Sequence, residues 1–211
     1  MMQLVFIHGW AFDTHVWNAL SPLLSKFPQK RIDLGYFGEA TKKAADKEPS
    51  ILVGHSLGFV HGINMRQDWA GWIAINSFSN FVISADGIGC VTPSTPRAMR
   101  KQMTGESEHT LDTFYKLIDT PHPKLGTPNI KRLQHGLDEL YDADIRQALP
   151  GKPGLVLAAE ADPLVPMKTS KALAVAGTQL HWHQIGTHML PLTGPQWCAT
   201  HITNFINKNF P

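Results

Sequence analysis

The sequence is poor in the features that mark a chain for an oxidising compartment, a membrane or nucleic acid. It has two cysteines in 211 residues, Cys90 and Cys198. They lie far apart and match no metal-ligand spacing, so free thiols are the expectation and a single disulfide the alternative. No charge sign dominates: 19 Lys and Arg against 17 Asp and Glu leave a formal net charge of +2. That is too little for nucleic acid or a membrane surface to be the main partner. No apolar run approaches the roughly 18 residues of a membrane span. The opening "MMQLVFIHGW" has no basic stretch ahead of its apolar run, as a secretory signal would. Repeats and low-complexity tracts are lacking as well. What remains, 43% hydrophobic and 17% charged, predicts a soluble cytoplasmic protein with a substantial core. A monomer without cofactor or metal is the expectation. The 11 histidines raise its charge quickly below neutral pH.

Short apolar runs recur between helix-like stretches: Leu4–Ile7, Arg31–Leu34, Ile51–Val53, Trp72–Ile75, Leu155–Ala159 and Leu180–Ile185. Runs of this length bounded by Gly, Pro or Asp suit strands buried on both faces, and their alternation with helices predicts a mainly parallel α/β sheet of about six strands. A last helix begins at Pro195 and presents Trp197, Cys198, Ile202, Phe205 and Ile206 on one face. The alternation breaks between about Ser77 and Pro150, where helical pieces ("HTLDTFYKLI", "IKRLQHGLDELY") are joined at Pro93, Pro96, Pro121, Pro123 and Pro128. Residues 77–150 therefore read as an inserted helical lid, with 1–76 and 151–211 as the core; ordinary crossover helices are the alternative.

"LVGHSLGFVHG", Leu52–Gly62, sets Ser56 between Gly54 and Gly58 after an apolar run. On a sharp strand-to-helix turn the glycines leave room for the turn and for close helix–strand packing. The serine then projects over the carboxyl end of the sheet. A hydroxyl needs a general base, and the base an orienting acid. In elbow-bearing hydrolases these follow in the order Ser, acid, His. "LVLAAEADPLVP" offers Asp162 in a Pro-flanked loop, and "HWHQIGTHMLP" offers His188 after the last strand. The oxyanion donors are expected to be the backbone N–H groups of Leu57 and of Trp10 in "FIHGWAF". Trp10 is equally open to plain core packing, and His8 reads as holding that turn.

Other residues compete for these roles. Glu160 sits two positions before Asp162, and Asp138 and Asp142 precede the acid strand. His181 and His183 alternate on one strand face; a metal pair and simple packing are both open to them. His55, His61 and His201 read as structural or exposed.

The segments "HGWAFDTHVW", "DLGYFG", "GHSLG", "NSFSNFVISADGIG", "FYKLI" and "GLDELYDADIRQAL" leading into "EADPLVP" occur in this order along the chain. In them the chain resembles the pimeloyl-[acyl-carrier-protein] methyl ester carboxylesterases within the α/β-hydrolase superfamily. The family commonly has tryptophan before the serine, where this chain has His55. The connection from Gly38 to Ile51 is short, with one crossover helix reduced to a turn. The resemblance implies a compact α/β-hydrolase fold and hydrolysis of a methyl ester presented on an acyl carrier protein. It also implies substrate contacts at Trp10 and Phe114, and it leaves Phe78, Phe81, Leu111 and Ile118 as lining or lid packing. Lys116, Arg97, Arg100, Lys101, Lys131 and Arg132 are the basic residues available for an acidic carrier. A general short-chain carboxylesterase, a C–C bond hydrolase and a non-catalytic binding module are the other readings.

Overall fold

The computed structural model describes residues 2–41, 48–149 and 151–211. Its strands are β1 (Gln3–Ile7), β2 (Gln29–Ile32), β3 (Ser50–His55), β4 (Gly71–Ile75), β5 (Gly154–Ala159) and β6 (Thr178–His183). They form one sheet in the order β2-β1-β3-β4-β5-β6, with every neighbouring pair parallel. β3, β4 and β5 are buried at every position, which is why they appear in the sequence as unbroken apolar runs.

The chain steps outward from β1 to β2 and then returns to lay β3 on the other side of β1. Strand order reverses there. The carboxyl ends of the strands at such a reversal are the usual place for a site in an open parallel sheet.

The two edge strands are displaced from their expected positions. The second run was expected over Arg31–Leu34, but β2 ends at Ile32 because Leu34 N–H donates to His8 Nε2 (2.9 Å) and Gly35 N–H to the Asp33 carboxylate (2.8 Å). The last run was expected over Leu180–Ile185. β6 pairs only with β5 and ends opposite Ala159, leaving Ile185 beyond the ladder and 87% exposed. Edge strands are half-buried, so apolar runs mark them poorly.

The helices are α1 (Leu57–Met65) after β3; α2 (Ser94–Gln102), α3 (Ser107–Leu117) and α4 (Ile130–Asp142) between β4 and β5; α5 (Met167–Leu173) before β6; and α6 (Leu190–Thr193) and α7 (Pro195–Asn209) at the end. "HTLDTFYKLI" lies almost wholly in α3 and "IKRLQHGLDELY" in α4. Pro96 is not a joint: it is the third residue of α2, in the first turn, where no intrahelical N–H bond is needed. α7 buries Cys198, Ile202, Phe205 and Ile206, with Trp197 at the margin. Both cysteines are free thiols. Among the described residues no helix is long and apolar enough to cross a membrane. The shortened crossover expected between Gly38 and Ile51 falls mostly on residues 42–47, outside the described residues.

Candidate active site

Ser56 stands between β3 and α1 with φ 51° and ψ −127°, a backbone region that non-glycine residues rarely adopt. Holding it there costs about 1–3 kcal/mol. The surrounding bonds fix the turn: Ser56 N–H donates to Ile75 O (3.1 Å), while Ser56 O accepts from Phe59 N–H (3.1 Å) and Ser77 Oγ (2.7 Å). A Cβ on Gly54 would sit 2.2 Å from Phe59 Cα, and one on Gly58 would sit 2.2 Å from Ile7 O. Both obstacles are main chain, so neither can swing aside. Gly58→Ala is accordingly expected to destabilise the fold by about 3 kcal/mol or more and to displace the elbow from β1. A thermal melt checks this; a melting temperature equal to wild type would refute the packing account.

His188 and Asp162 leave different strand ends and meet. His188 Nδ1 and Asp162 Oδ2 are 2.9 Å apart, and each side chain is 1% exposed. Asp162 Oδ1 accepts the N–H groups of Leu164 (2.8 Å) and Val165 (3.0 Å). Burial pushes the Asp162 carboxyl up, but the charge and hydrogen bond of His188 and the Val165 and Leu164 N–H groups outweigh it and hold the group below 3.8. A depressed carboxyl stabilises the fold above its unfolded pKa and loses that contribution as pH falls through its folded value.

The main chain of the histidine loop is held from beneath. His55, fully buried, has Nε2 2.9 Å from His188 O, and its ring centroid is 5.0 Å from that of His188. Asn76 Nδ2 donates to Thr187 O (2.7 Å) and His188 O (2.9 Å), while its Oδ1 accepts Ala159 N–H (2.8 Å). Burial first, and the nearby His188 second, lower the His55 pKa from 6.5 to about 3; Asp162 and His8 also face it, with opposing smaller effects. Between those pH values the unfolded chain binds the extra proton, so stability falls as pH falls. Relative to His55→Gln, the wild type is expected to lose about 2 kcal/mol more on going from pH 7 to pH 5. Urea unfolding at both pH values measures the difference, and parallel losses would refute it.

Leu57 follows the serine, and the Gly9–Trp10 loop approaches it from the end of β1. α1 begins at Leu57, so its N–H is one of the helix-start donors without an intrahelical acceptor. A Cβ on Gly9 would lie 3.0 Å from Ser56 Cβ, which puts the Gly9–Trp10 main chain against the serine. His8 Nδ1 is 2.9 Å from Gly9 O, and its Nε2 accepts Leu34 N–H. Both ring nitrogens are thus committed to a neutral tautomer, and the 3.5 Å approach of Nε2 to Asp33 is not an ion pair. The loop is also bound to the intervening helices. Trp10 Nε1 donates to Leu133 O in α4 (2.8 Å), and Tyr115 Oη in α3 donates to Ala11 O (2.6 Å), where Ala11 has φ 59°. Phe114 meets the Trp10 ring edge-to-face at 4.8 Å.

The competing residues lie elsewhere or are otherwise engaged. Glu160 is exposed, and Asp138 pairs with Arg100 at 2.6 Å. His61 faces Glu139 (3.0 Å); His181 stacks on His201 (4.1 Å), and His183 lies against Trp197 (5.0 Å). A cleft of about 700 Å³ between β2, α1 and α4 includes none of Ser56, Asp162 or His188 in its walls. Asn76, Ser77 and Tyr115 were not anticipated from the sequence. The one local signal was an Asn-Ser pair directly after a buried strand, a position where Asn tolerates positive φ.

No family model matches the chain. Among relatives it is 25% identical to a pimeloyl-[acyl-carrier protein] methyl ester esterase of Vibrio atlanticus, covering 98% of this chain and 95% of that one. It is 27% identical to the protein of the same name from Wigglesworthia glossinidia brevipalpis over 79% of this chain and 77% of the other. It is 26% identical to the biotin biosynthesis bifunctional protein BioHC of Cellvibrio japonicus over 96% of this chain, which spans only 47% of that protein. Among solved structures, an esterase from Exiguobacterium antarcticum superposes with a TM-score of 0.80 at 15% identity, covering 98% of this chain and 92% of that one. MenH from S. aureus gives 0.80 at 15% identity, covering 100% and 95%. The chain has the α/β-hydrolase fold, and its sequence resembles the pimeloyl-[acyl-carrier protein] methyl ester esterases.

Proposed function

We propose that this protein is a serine carboxylesterase that hydrolyses the methyl ester of a pimeloyl group carried on an acyl carrier protein, as the names of its relatives describe for them. The observation that carries the reading is the buried His188–Asp162 hydrogen bond, together with a serine on a strained strand-to-helix turn whose chain neighbour His55 reaches the His188 carbonyl. His188 Nε2 takes the Ser56 Oγ proton as Oγ attacks the ester carbonyl, and Asp162 fixes the Nδ1–H tautomer and stabilises the imidazolium. The N–H groups of Trp10 and Leu57 receive the oxyanion. His188 then gives its proton to the departing methoxide, which leaves as methanol, and the neutral ring activates the water that releases the acid from Ser56.

Residues 77–150 act as a lid on the core made by 1–76 and 151–211. Phe114 packs edge-to-face on Trp10 in the loop that approaches the serine, and these two rings are the proposed contacts for the acyl chain. An acidic carrier protein is the partner at the lid face. One observation favours a second reading, a general short-chain carboxylesterase. Of the basic lid residues, Arg97 is stacked on Tyr141 (4.3 Å) and Arg100 is paired with Asp138, so neither is free to meet a carrier. Expression in a biotin-requiring strain that lacks its own pimeloyl ester carboxylesterase separates the two. Growth without biotin is the expected result. No growth, from a chain that still cleaves p-nitrophenyl esters, would leave the general esterase.

A further inference from the structure

The catalytic reading assigns Asp162 to the His188 ring but leaves the histidine main chain unexplained. Among the described residues, neither Thr187 nor His188 makes a backbone–backbone hydrogen bond, and the buried Thr187 hydroxyl has no partner. The loop hangs between β6 and α6 without a ladder. What holds it is the pair of side chains that converge on its carbonyls, His55 and Asn76.

We infer that His55 and Asn76 are positioning residues: a two-donor clamp on the His188 carbonyl that sets the imidazole for proton transfer with Ser56. The inference rests on the reading of Ser56, Asp162 and His188 as a triad.

The orientations of both clamp groups follow from their neighbours. Asn76 faces carbonyls with one end and the Ala159 N–H with the other, so its amide has one satisfactory orientation. His55 faces a carbonyl with Nε2, so Nε2 carries the proton, and the ring is neutral with an unprotonated Nδ1. That Nδ1 is buried without a partner, 3.2 Å from where a Gly9 Cβ would stand. An apolar side chain would avoid the desolvation cost of this orphan nitrogen. The Nε2–H bond to His188 O is the only one the ring makes among the described residues.

The clamp joins the parts whose spacing matters for proton transfer. His55 adjoins Ser56 in the chain, and Asn76 directly follows β4 in a left-handed conformation with φ 43°. Ala159, held by Asn76, ends β5 three residues before Asp162. Serine, acid and histidine are thus tied through main chain at a single point. A displacement of about 1 Å in such a group costs on the order of 10²-fold in rate.

The test compares His55→Leu, His55→Gln and Asn76→Gly in the full chain, with glycine chosen because it keeps the positive φ. Turnover of p-nitrophenyl butyrate is measured per active site, the sites being counted by titration with a fluorophosphonate, so misfolded chains do not enter the rate. His55→Leu and Asn76→Gly are each expected to lower kcat about 10-fold with KM unchanged. His55→Gln, which returns an N–H near the Nε2 position, is expected to recover kcat to within about 3-fold of wild type. The downfield proton resonance of the His188–Asp162 hydrogen bond should broaden in the two disabling variants and return in His55→Gln. Wild-type kcat per titrated site in His55→Leu and Asn76→Gly, or a His55→Gln as impaired as His55→Leu, would overturn the clamp alone. A wild-type chain that takes up no fluorophosphonate would overturn the triad reading and the clamp with it.

Discussion

Ser56→Ala is expected to lower kcat by about 10⁴-fold or more, with melting close to that of wild type. On the proposed mechanism the rate falls because the Ser56 hydroxyl forms the acyl bond. Stability hardly changes because the turn is held through the serine main chain, by Ile75, Phe59 and Ser77, and those bonds survive the substitution. Alanine inherits the strained φ of 51°. Glycine does not, so Ser56→Gly should be equally inactive yet more stable than Ser56→Ala by about 1 kcal/mol. That opposition is measurable by steady-state kinetics and thermal melts on the same preparations. An inactive Ser56→Gly no more stable than Ser56→Ala would remove the strain from the account.

Asp162→Asn is the second large effect. Asparagine can keep its oxygen on the Leu164 and Val165 N–H groups, so the loop persists. Its amide then faces His188 Nδ1 with N–H instead of a carboxylate oxygen. Nδ1 must accept, the ring proton moves to Nε2, and the nitrogen that the proposed mechanism assigns to the serine can no longer act as a base. A loss of about 10⁴-fold in kcat with an intact fold is the expected result. A loss below tenfold would return the acid's role to another carboxylate. Glu160 is exposed, and Asp138 is engaged by Arg100, so neither offers an evident replacement.

The core strands were legible because a strand covered on both faces must be apolar throughout, as β3, β4 and β5 are. β2 and β6 were misplaced because edge strands lack that covering, and their ends are set by their neighbours. Ser56, Asp162 and His188 could be singled out because each lies on a loop after a recognisable strand, with glycine or proline beside it. The structure brings Asp162 and His188 to hydrogen-bonding distance. His55 and Asn76 were not legible as partners of His188. Their meeting depends on how the ends of β3, β4 and β5 converge on one loop, and no local pattern encodes such a convergence. Tyr115 escaped notice for the same reason: its bond to Ala11 O spans 104 positions of sequence.

The most direct measurement is to locate the covalent intermediate. Rapid acid quenching during turnover of a p-nitrophenyl ester, followed by peptide mass mapping, reads where the acyl group sits. One acyl group per chain is expected on the peptide that contains Ser56, and none in Ser56→Ala. Continued ester turnover with no acylated Ser56 peptide, or with the acyl group on another residue, would contradict it.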